Sequence, residues 1–582
     1  MVILLASFFC SVQVAADGVP GSLDLGFGNE GKVILPIGVD GSDARSLAIQ
    51  SDGKILVAGS STAPNGKLDF TVARLTRSGL IDTAFGQNGT ARVEVSAASD
   101  YARDLVVQGD GTILVAGYSN VASNADFVIV KLRVDGQLDS SFGTAGIVSI
   151  PMGTGNDQAY VLALRSDGRI LIGGFSNNGV DDDMALVSLL PNGSLDPAFG
   201  QAGKLVLPVG PGDDHVRAMT VMPDGRIMVA GTSFNGTDQD FALVRLNADG
   251  TLDASFGAGG QMIVPLGGSP TSNDRIFSLL VQPDGKIVAG GHAYNGRDTD
   301  FALVRLLGNG APDPAFAEGG RLLIPVGEGN DYARDLALAP DGKIVIAGYT
   351  ENGLVRNFAV FRLHADGRFD TSFGDAGRRL VPMGGGNDLL RAVAMQHDGN
   401  LLLAGLAEEP NGAGGSNFAL ARLYGESFDL TPLPFSFAPL ANVPRGSVNL
   451  SHAVSIQGLG EGVSVPVRIQ GGEYALNGGT FTAANGWVRN GDQIVVRQVA
   501  SQDGGTLTRS LVVVGGMLDQ RSPLLNLGGI SAPFETTTEG VAPGSIRAST
   551  GGGLIGGWAL MLVALLGAVR YGCFRRIPST RD

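Results

Sequence analysis

Three short motifs recur in fixed register along this chain, and that repetition constrains the fold more than any other feature. An Asp-Gly pair between two apolar runs starts at Asp52, Asp110, Asp167, Asp224, Asp284, Asp341 and Asp398, with spacings of 58, 57, 57, 60, 57 and 57 residues. A second motif, L-D-x-x-F-G, keeps the same beat and aligns Phe27, Phe85, Phe142, Phe199, Phe256, Phe316 and Phe373. A third, typified by DFALVRL, aligns Phe70, Phe127, Met184, Phe241, Phe301, Phe358 and Phe418. Self-similarity at a fixed period marks a repeat architecture whose units must stack to bury their apolar faces.

Each unit reads as four strands. In the sixth, ARDLALAP and KIVIAGYT flank the tight Asp341-Gly342 turn, NFAVFRL is a third strand and RRLVPMG a fourth. The runs are short, apolar and bounded by Gly, Asn and Asp, and 89 glycines suit many tight turns. A four-stranded unit of about 57 residues predicts a propeller blade. The predicted fold is all-β: a seven-bladed β-propeller over residues 23–424. The last unit, from Asn387 to Tyr424, carries three strands, while GKVILPIG at 31–38 is left over at the N-terminus. The register therefore predicts that 31–38 supplies the outer strand of the last blade, which closes the ring and hides two sheet edges.

These motif columns resemble the bacterial delta-60 repeat family, a propeller-type repeat of similar length with the same Asp-Gly hairpin and L-D-x-x-F-G signature. The resemblance covers about residues 23–424 and implies a fold and an exported location, with no activity attached.

Beyond the repeats, the proline-rich stretch 425–445 reads as a linker. Residues 446–516 alternate apolar and polar in short runs, and GEYALNGGTFTAANGWVRNGDQIVVRQVAS resembles a small Ig-like β-sandwich, with Tyr474 and Trp487 in its core. Residues 517–550, rich in Ser, Thr, Gly and Pro, read as a flexible stalk. Residues 1–16 read as a signal peptide: Val2 to Val14 is apolar and Val14-Ala15-Ala16 fits a small-x-small cleavage pattern, although no basic residue precedes the run. At 551–576, glycines Gly551, Gly552, Gly553, Gly556 and Gly557, an apolar run through Trp558, and Arg570, Arg575 and Arg576 predict a transmembrane helix with a basic cytoplasmic end. This tail resembles the GlyGly-CTERM sorting signal, which implies cleavage by a rhomboid-type protease; a plain anchor is the alternative. The two readings together predict export through the secretion machinery, then retention at the extracytoplasmic face of the envelope or release after cleavage.

Composition narrows the function. A net charge of −15 with no long basic run argues against nucleic-acid binding. The two cysteines, Cys10 and Cys573, lie in the terminal segments, so the body has no disulfide or thiolate metal site. No HExxH, GxSxG, Walker A or CxxC occurs, and the five histidines fall at unrelated repeat positions. No catalytic residue, metal ligand or cofactor is therefore assigned. The acid-rich loops 177–183, 234–240 and 294–300 carry oxygen donors at no EF-hand spacing.

Two columns carry information about a site. Asp100, Asp157, Asp214, Asp274, Asp331 and Asp388 precede the first strand of six units, with Ser42 in the first, and Arg45, Arg103, Arg217, Arg334 and Arg391 sit three residues further on in five. The column reads either as a ring of carboxylates at the channel mouth, or as architecture in which each Asp accepts turn N–H bonds or pairs with the Arg. Its recurrence favours architecture. The next position varies: Asp43, Tyr101, Gln158, His215, Arg275, Tyr332 and Leu389. Of these, Tyr101, Gln158, His215, Arg275 and Tyr332 form the candidate binding rim, with free solvent positions as the plainer reading. The expected function is a surface binding or scaffold protein for an unidentified protein or glycan. The alternatives are an extracellular polysaccharide hydrolase or lyase, and a structural spacer.

Overall fold

The computed structural model describes residues 18–121, 124–267, 273–353, 355–409, 415–515, 517–519, 522–527 and 529–539. The repeat region forms seven four-stranded antiparallel sheets. Six are simple meanders; the first runs Ser42–Ile49, Ile55–Thr62, Leu68–Leu75 and Thr90–Val93. The inner strands of successive sheets lie side by side, and Asp388–Met395 of the last returns to Ser42–Ile49 of the first, which closes a propeller-like ring. The second and third strands of each sheet are covered on both faces by neighbouring sheets. They therefore read as continuous apolar runs such as ILVAG and FALV, without a period of two.

The motif columns mark one recurring junction. Arg74 Nε donates to Asp82 Oδ2 at 2.8 Å, the guanidinium lies 4.6 Å from the centre of the Phe85 ring, and Nη1 reaches the carbonyl of Val134 in the next unit at 2.6 Å. Asp82 Oδ1 accepts the Ala84 N–H and so shapes the L-D-x-x-F-G turn. Arg245, Arg305 and Arg362 repeat the arrangement with Asp253, Asp313 and Asp370 over Phe256, Phe316 and Phe373. Each phenylalanine is fully buried. Aspartate, phenylalanine and arginine are thus three faces of one contact, which recurs in five units; Lys131 takes the arginine's place beside Asp139 and Phe142 in the second, and Ser188 beside Asp196 in the third.

The seventh sheet takes its outer strand from the N-terminus. Lys32–Leu35 runs antiparallel to Ser416–Leu423, with Lys32 opposite Ala421 and Leu35 opposite Phe418. The junction forms here too. Arg422 Nε donates to Asp24 Oδ2 at 2.7 Å, lies over Phe27 at 4.6 Å, and its Nη1 bonds the Arg77 carbonyl at 2.6 Å. Burial raises the Asp24 carboxyl, but the Gly26 N–H and Arg422 outweigh it and hold it below the ordinary range.

A two-sheet sandwich follows. One sheet orders Leu440–Val443, Ile530–Thr538, Leu507–Val514, Ser464–Gln470 and Gly486–Arg489; the other joins Val448–Leu450, Gln493–Val499 and Val454–Ser455, with Glu473–Leu476 also on Gln493–Val499. It sits at the Asp-Gly hairpin end of the repeat body: the Ser464 N–H donates to the Pro340 carbonyl at 3.0 Å, and Trp487 and Asn485 share a cavity with Arg165 and Met222.

Several sequence expectations change. The described fold is all-β without the expected transmembrane helix: among the described residues there is no helix at all, and so none long and apolar enough to cross a membrane. The signal peptide 1–16 and the sorting segment 551–576, with Gly551, Gly552, Gly553, Gly556 and Gly557, lie outside the described residues. The stalk reading of 517–550 fails where Ile530–Thr538 joins the sandwich. Ala532, Phe534, Thr536 and Thr538 alternate into the core, a period of two hidden by a Ser/Thr/Pro-rich composition. Pro533 is tolerated because its outward edge is unpaired at that point. The linker 425–445 likewise contains the strand Leu440–Val443. Tyr474 is buried, with its hydroxyl on the Ala484 carbonyl at 2.9 Å, whereas Trp487 is half-buried and faces the repeat body.

Removing one partner of the closing pair strands a charge that is about one-tenth exposed. Asp24→Ala should cost about 3 kcal/mol or more in urea denaturation; an unchanged midpoint would show that closure does not rest on this pair. Ala317 occupies a left-handed conformation (φ 41°) at a position that is glycine in the other units, such as Gly257 at 53° and Gly374 at 55°. Ala317→Gly should gain about 0.5–1 kcal/mol, the strain relieved less the entropy glycine adds to the unfolded chain; a loss of stability would contradict the strain.

Candidate functional site

The inner strand of every sheet carries one irregularity, and it builds the centre of the ring. Pairing with the second strand skips one residue: Arg45, Arg103, Tyr160, Arg217, Phe277, Arg334 and Arg391. Each is a β-bulge residue, which re-aims its side chain. The bulge brings the inner backbone against a glycine of the second strand. A Cβ at Gly59, Gly117, Gly174, Gly231, Gly291, Gly348 or Gly405 would fall 1.8–2.1 Å from the carbonyl oxygen of the rim residue opposite. No other residue fits, so the V-A-G motif and the bulge are one constraint.

The bulge sends five arginines from five sheets into one central space. Burial pushes the Arg45 guanidinium down to about 9; Asp43 opposes this, while Arg391, Arg103 and Arg334 add to it by like-charge repulsion. Burial also depresses Arg217 and Arg334. Arg45 pairs with Asp43, which also faces Arg391 at 3.6 Å. Arg103 donates to the Tyr118 hydroxyl and Arg334 to the Tyr349 hydroxyl, both at 2.9 Å. Arg217 lies 3.9 Å from the centre of the Tyr160 ring, and Arg334 4.2 Å from that of Phe277.

The variable column lines the mouth above these arginines. Tyr101 stacks on Tyr118 at 4.8 Å. Gln158 accepts the Tyr160 hydroxyl at 2.7 Å. His215 sits 3.0 Å from Asp182 and 4.5 Å from the Phe175 ring; burial, then Arg217, depress its pKa despite Asp182. Arg275 bonds Gln239 at 2.9 Å and is exposed. Tyr332 packs on Tyr349 at 5.1 Å and on His292 at 5.0 Å. Sequence reasoning missed the second-strand partners Tyr118, Phe175, His292 and Tyr349. Each is paired across from a rim residue, a signal readable once the hairpin register is set. His292 is pushed down to about 3 by burial and by Arg334 and Arg275.

The aspartate column does not ring an opening. Asp100, Asp157, Asp214, Asp274, Asp331 and Asp388 are fully buried. Each accepts backbone N–H groups of the preceding loop, as Asp157 Oδ2 does from Met152 at 2.7 Å and Gly153 at 3.1 Å. None pairs with the arginine three residues on. Positions one and four of a strand lie on opposite faces, and the bulge turns the arginine to the centre. In the acid-rich loops, an asparagine amide occupies the place between carboxylates: Asn235 Nδ2 donates to Asp238 at 2.5 Å and Asp240 at 2.7 Å, and Asn295 repeats this with Asp298 and Asp300. No group of three or more metal-ligating side chains occurs among the described residues.

Burial raises Asp331 to about 6, against the Thr350 hydroxyl and the Val326 N–H. Such a carboxyl favours the fold most when neutral, so its contribution is full below pH 4 and is lost as pH rises through 6. His292 acts with the opposite sign, so the effect is read as a difference between proteins. Relative to the parent, Asp331→Asn should gain about 2–3 kcal/mol between pH 4 and pH 7 in denaturant titrations; a difference flat with pH would contradict burial of the charge.

Among solved structures, virginiamycin B lyase from Staphylococcus aureus aligns at 10% identity and TM-score 0.39, over 67% of this chain and 98% of that one. Polysaccharide lyase Uly1 aligns at 10% identity and TM-score 0.38, over 71% and 94%. Sqt1 from Chaetomium thermophilum aligns at 12% and 0.33, over 70% and 98%. At such distances no activity transfers. No curated protein matches the chain in sequence. The family described as "Domain of unknown function (DUF5122) beta-propeller" matches residues 50–85, 108–142, 165–199, 223–256, 282–316 and 339–373, each from an Asp-Gly hairpin to an L-D-x-x-F-G phenylalanine or its equivalent. Six matches in one register agree with the β-propeller repeat fold of the ring.

Proposed function

We propose that this protein is an exported binding or scaffold protein whose ligand enters the mouth of the repeat body at the arginine end. One observation carries the reading: five bulge arginines and a variable aromatic rim converge on one end of the ring, while the sandwich sits at the other. The frame around the mouth repeats, but the rim does not, and an asymmetric rim on a rigid frame suits recognition of one ligand in one orientation. Five of the charged groups at the centre are arginines, which remain cationic near neutral pH and do not serve as general bases, and the carboxylate among them, Asp43, is held by Arg45 and Arg391. This supports binding over turnover. The experiment is an array of proteins and of neutral and acidic polysaccharides, probed with the purified protein and with Tyr101→Ala/Tyr332→Ala. Saturable binding that the double variant loses is expected. Binding indifferent to both tyrosines, or release of cleaved polysaccharide, would overturn the reading.

A further inference from the structure

We propose that the central funnel is an anion site that holds the terminal carboxylate-bearing residue of an acidic oligosaccharide; this rests on the binding reading above. The first support is an excess of positive charge. Arg45, Arg103, Arg217, Arg334 and Arg391 are drawn from five sheets into one half-buried space. Asp43 is shared between Arg45 and Arg391. The acids nearest the rim are engaged elsewhere: Asp182 with His215, and Glu351 with Arg356 at 2.7 Å. The second support is unused donors. The Nε atoms of Arg103 and Arg334 are buried without a hydrogen-bond partner among the described residues, and that of Arg391 has only Asp43 Oδ1 at 3.6 Å. A buried donor left unmade is costly, and a fold that keeps several beside like charges is prepared for an incoming acceptor. Planar guanidinium groups match the two oxygens of a carboxylate.

The walls narrow the class. Half-buried Tyr101 and Tyr332, each backed by a buried tyrosine (Tyr118 and Tyr349), offer flat apolar surfaces beside the arginines, against which the C–H face of a sugar ring packs. Gln158 and Arg275 supply polar groups at the rim for ring hydroxyls. The net charge of −15 opposes a long polyanion lying along the surface. The funnel instead accepts one end of a chain, with the sandwich behind it.

Titration calorimetry of the full chain with trigalacturonate, maltotriose and sodium phosphate tests this, in the parent, Arg103→Gln and Arg334→Gln. Trigalacturonate should bind, weaken as sodium chloride is raised, and lose about tenfold or more in affinity in each variant. Maltotriose should not bind. Melting curves check folding. Each variant removes one of several mutually repelling charges, so its Tm should match or exceed the parent's, and trigalacturonate should raise the parent's Tm more than the variant's. Binding of trigalacturonate that neither salt nor the arginine substitutions weaken would overturn the proposal. Phosphate binding as tightly as trigalacturonate would overturn the saccharide assignment. A neutral ligand held by the tyrosine rim and indifferent to the arginines would sink this inference and leave the binding function standing, whereas failure of every array ligand to bind would sink that function as well.

Discussion

The ring stands on an arginine held between an aspartate and a phenylalanine. The arginine comes from the third strand, and the other two come from the L-D-x-x-F-G turn that follows. Its remaining nitrogen reaches the carbonyl of the neighbouring unit's turn, so one side chain fixes the turn and sets the spacing to the next sheet. Little water reaches the pair: Arg305 and Asp313 are about one-twentieth exposed. Such a contact is worth more for geometry than for net stability, because desolvating two charges offsets much of their attraction. Its value here lies in repetition, since every unit must meet its neighbours at the same angle for the ring to close. Arg422 and Asp24 close it with the same contact across 398 residues of chain.

The centre obeys a second constraint of opposite character. A bulge in each inner strand forces a glycine opposite it and frees one side chain to point at the axis. In five sheets that side chain is arginine, and in two it is Tyr160 or Phe277. Like charges gathered in a half-buried space destabilise the fold, and the buried apolar strand faces offset that cost. Strain and unmet polar groups are tolerated at places that act on something else.

Much of the frame was legible because it repeats. The hairpins, the strand runs and the unpaired N-terminal strand follow from period, turn chemistry and the need to hide edges. The site was half legible. The variable column was visible at Tyr101, Gln158, His215, Arg275 and Tyr332, but the arginines looked like partners for the aspartates. The pleat already puts the two on opposite faces, and the skipped residue that aims the arginine inward leaves only an indirect trace in sequence: the glycine across from it. Ile530–Thr538 escaped for another reason, since threonine serves both a disordered stalk and a strand, and pairing with Leu507–Val514 decides between them.

By itself, the sequence determined the repeat, the strand order within each unit and the strand that closes the ring, because these depend on local periodicity and on which edges are left unpaired. The tertiary structure alone decided that the carboxylates are buried architecture and that the charge at the centre is positive. That outcome depends on the strand pleat and a one-residue bulge, which put the arginine on the face opposite its own aspartate and aim it at the axis it shares with four others.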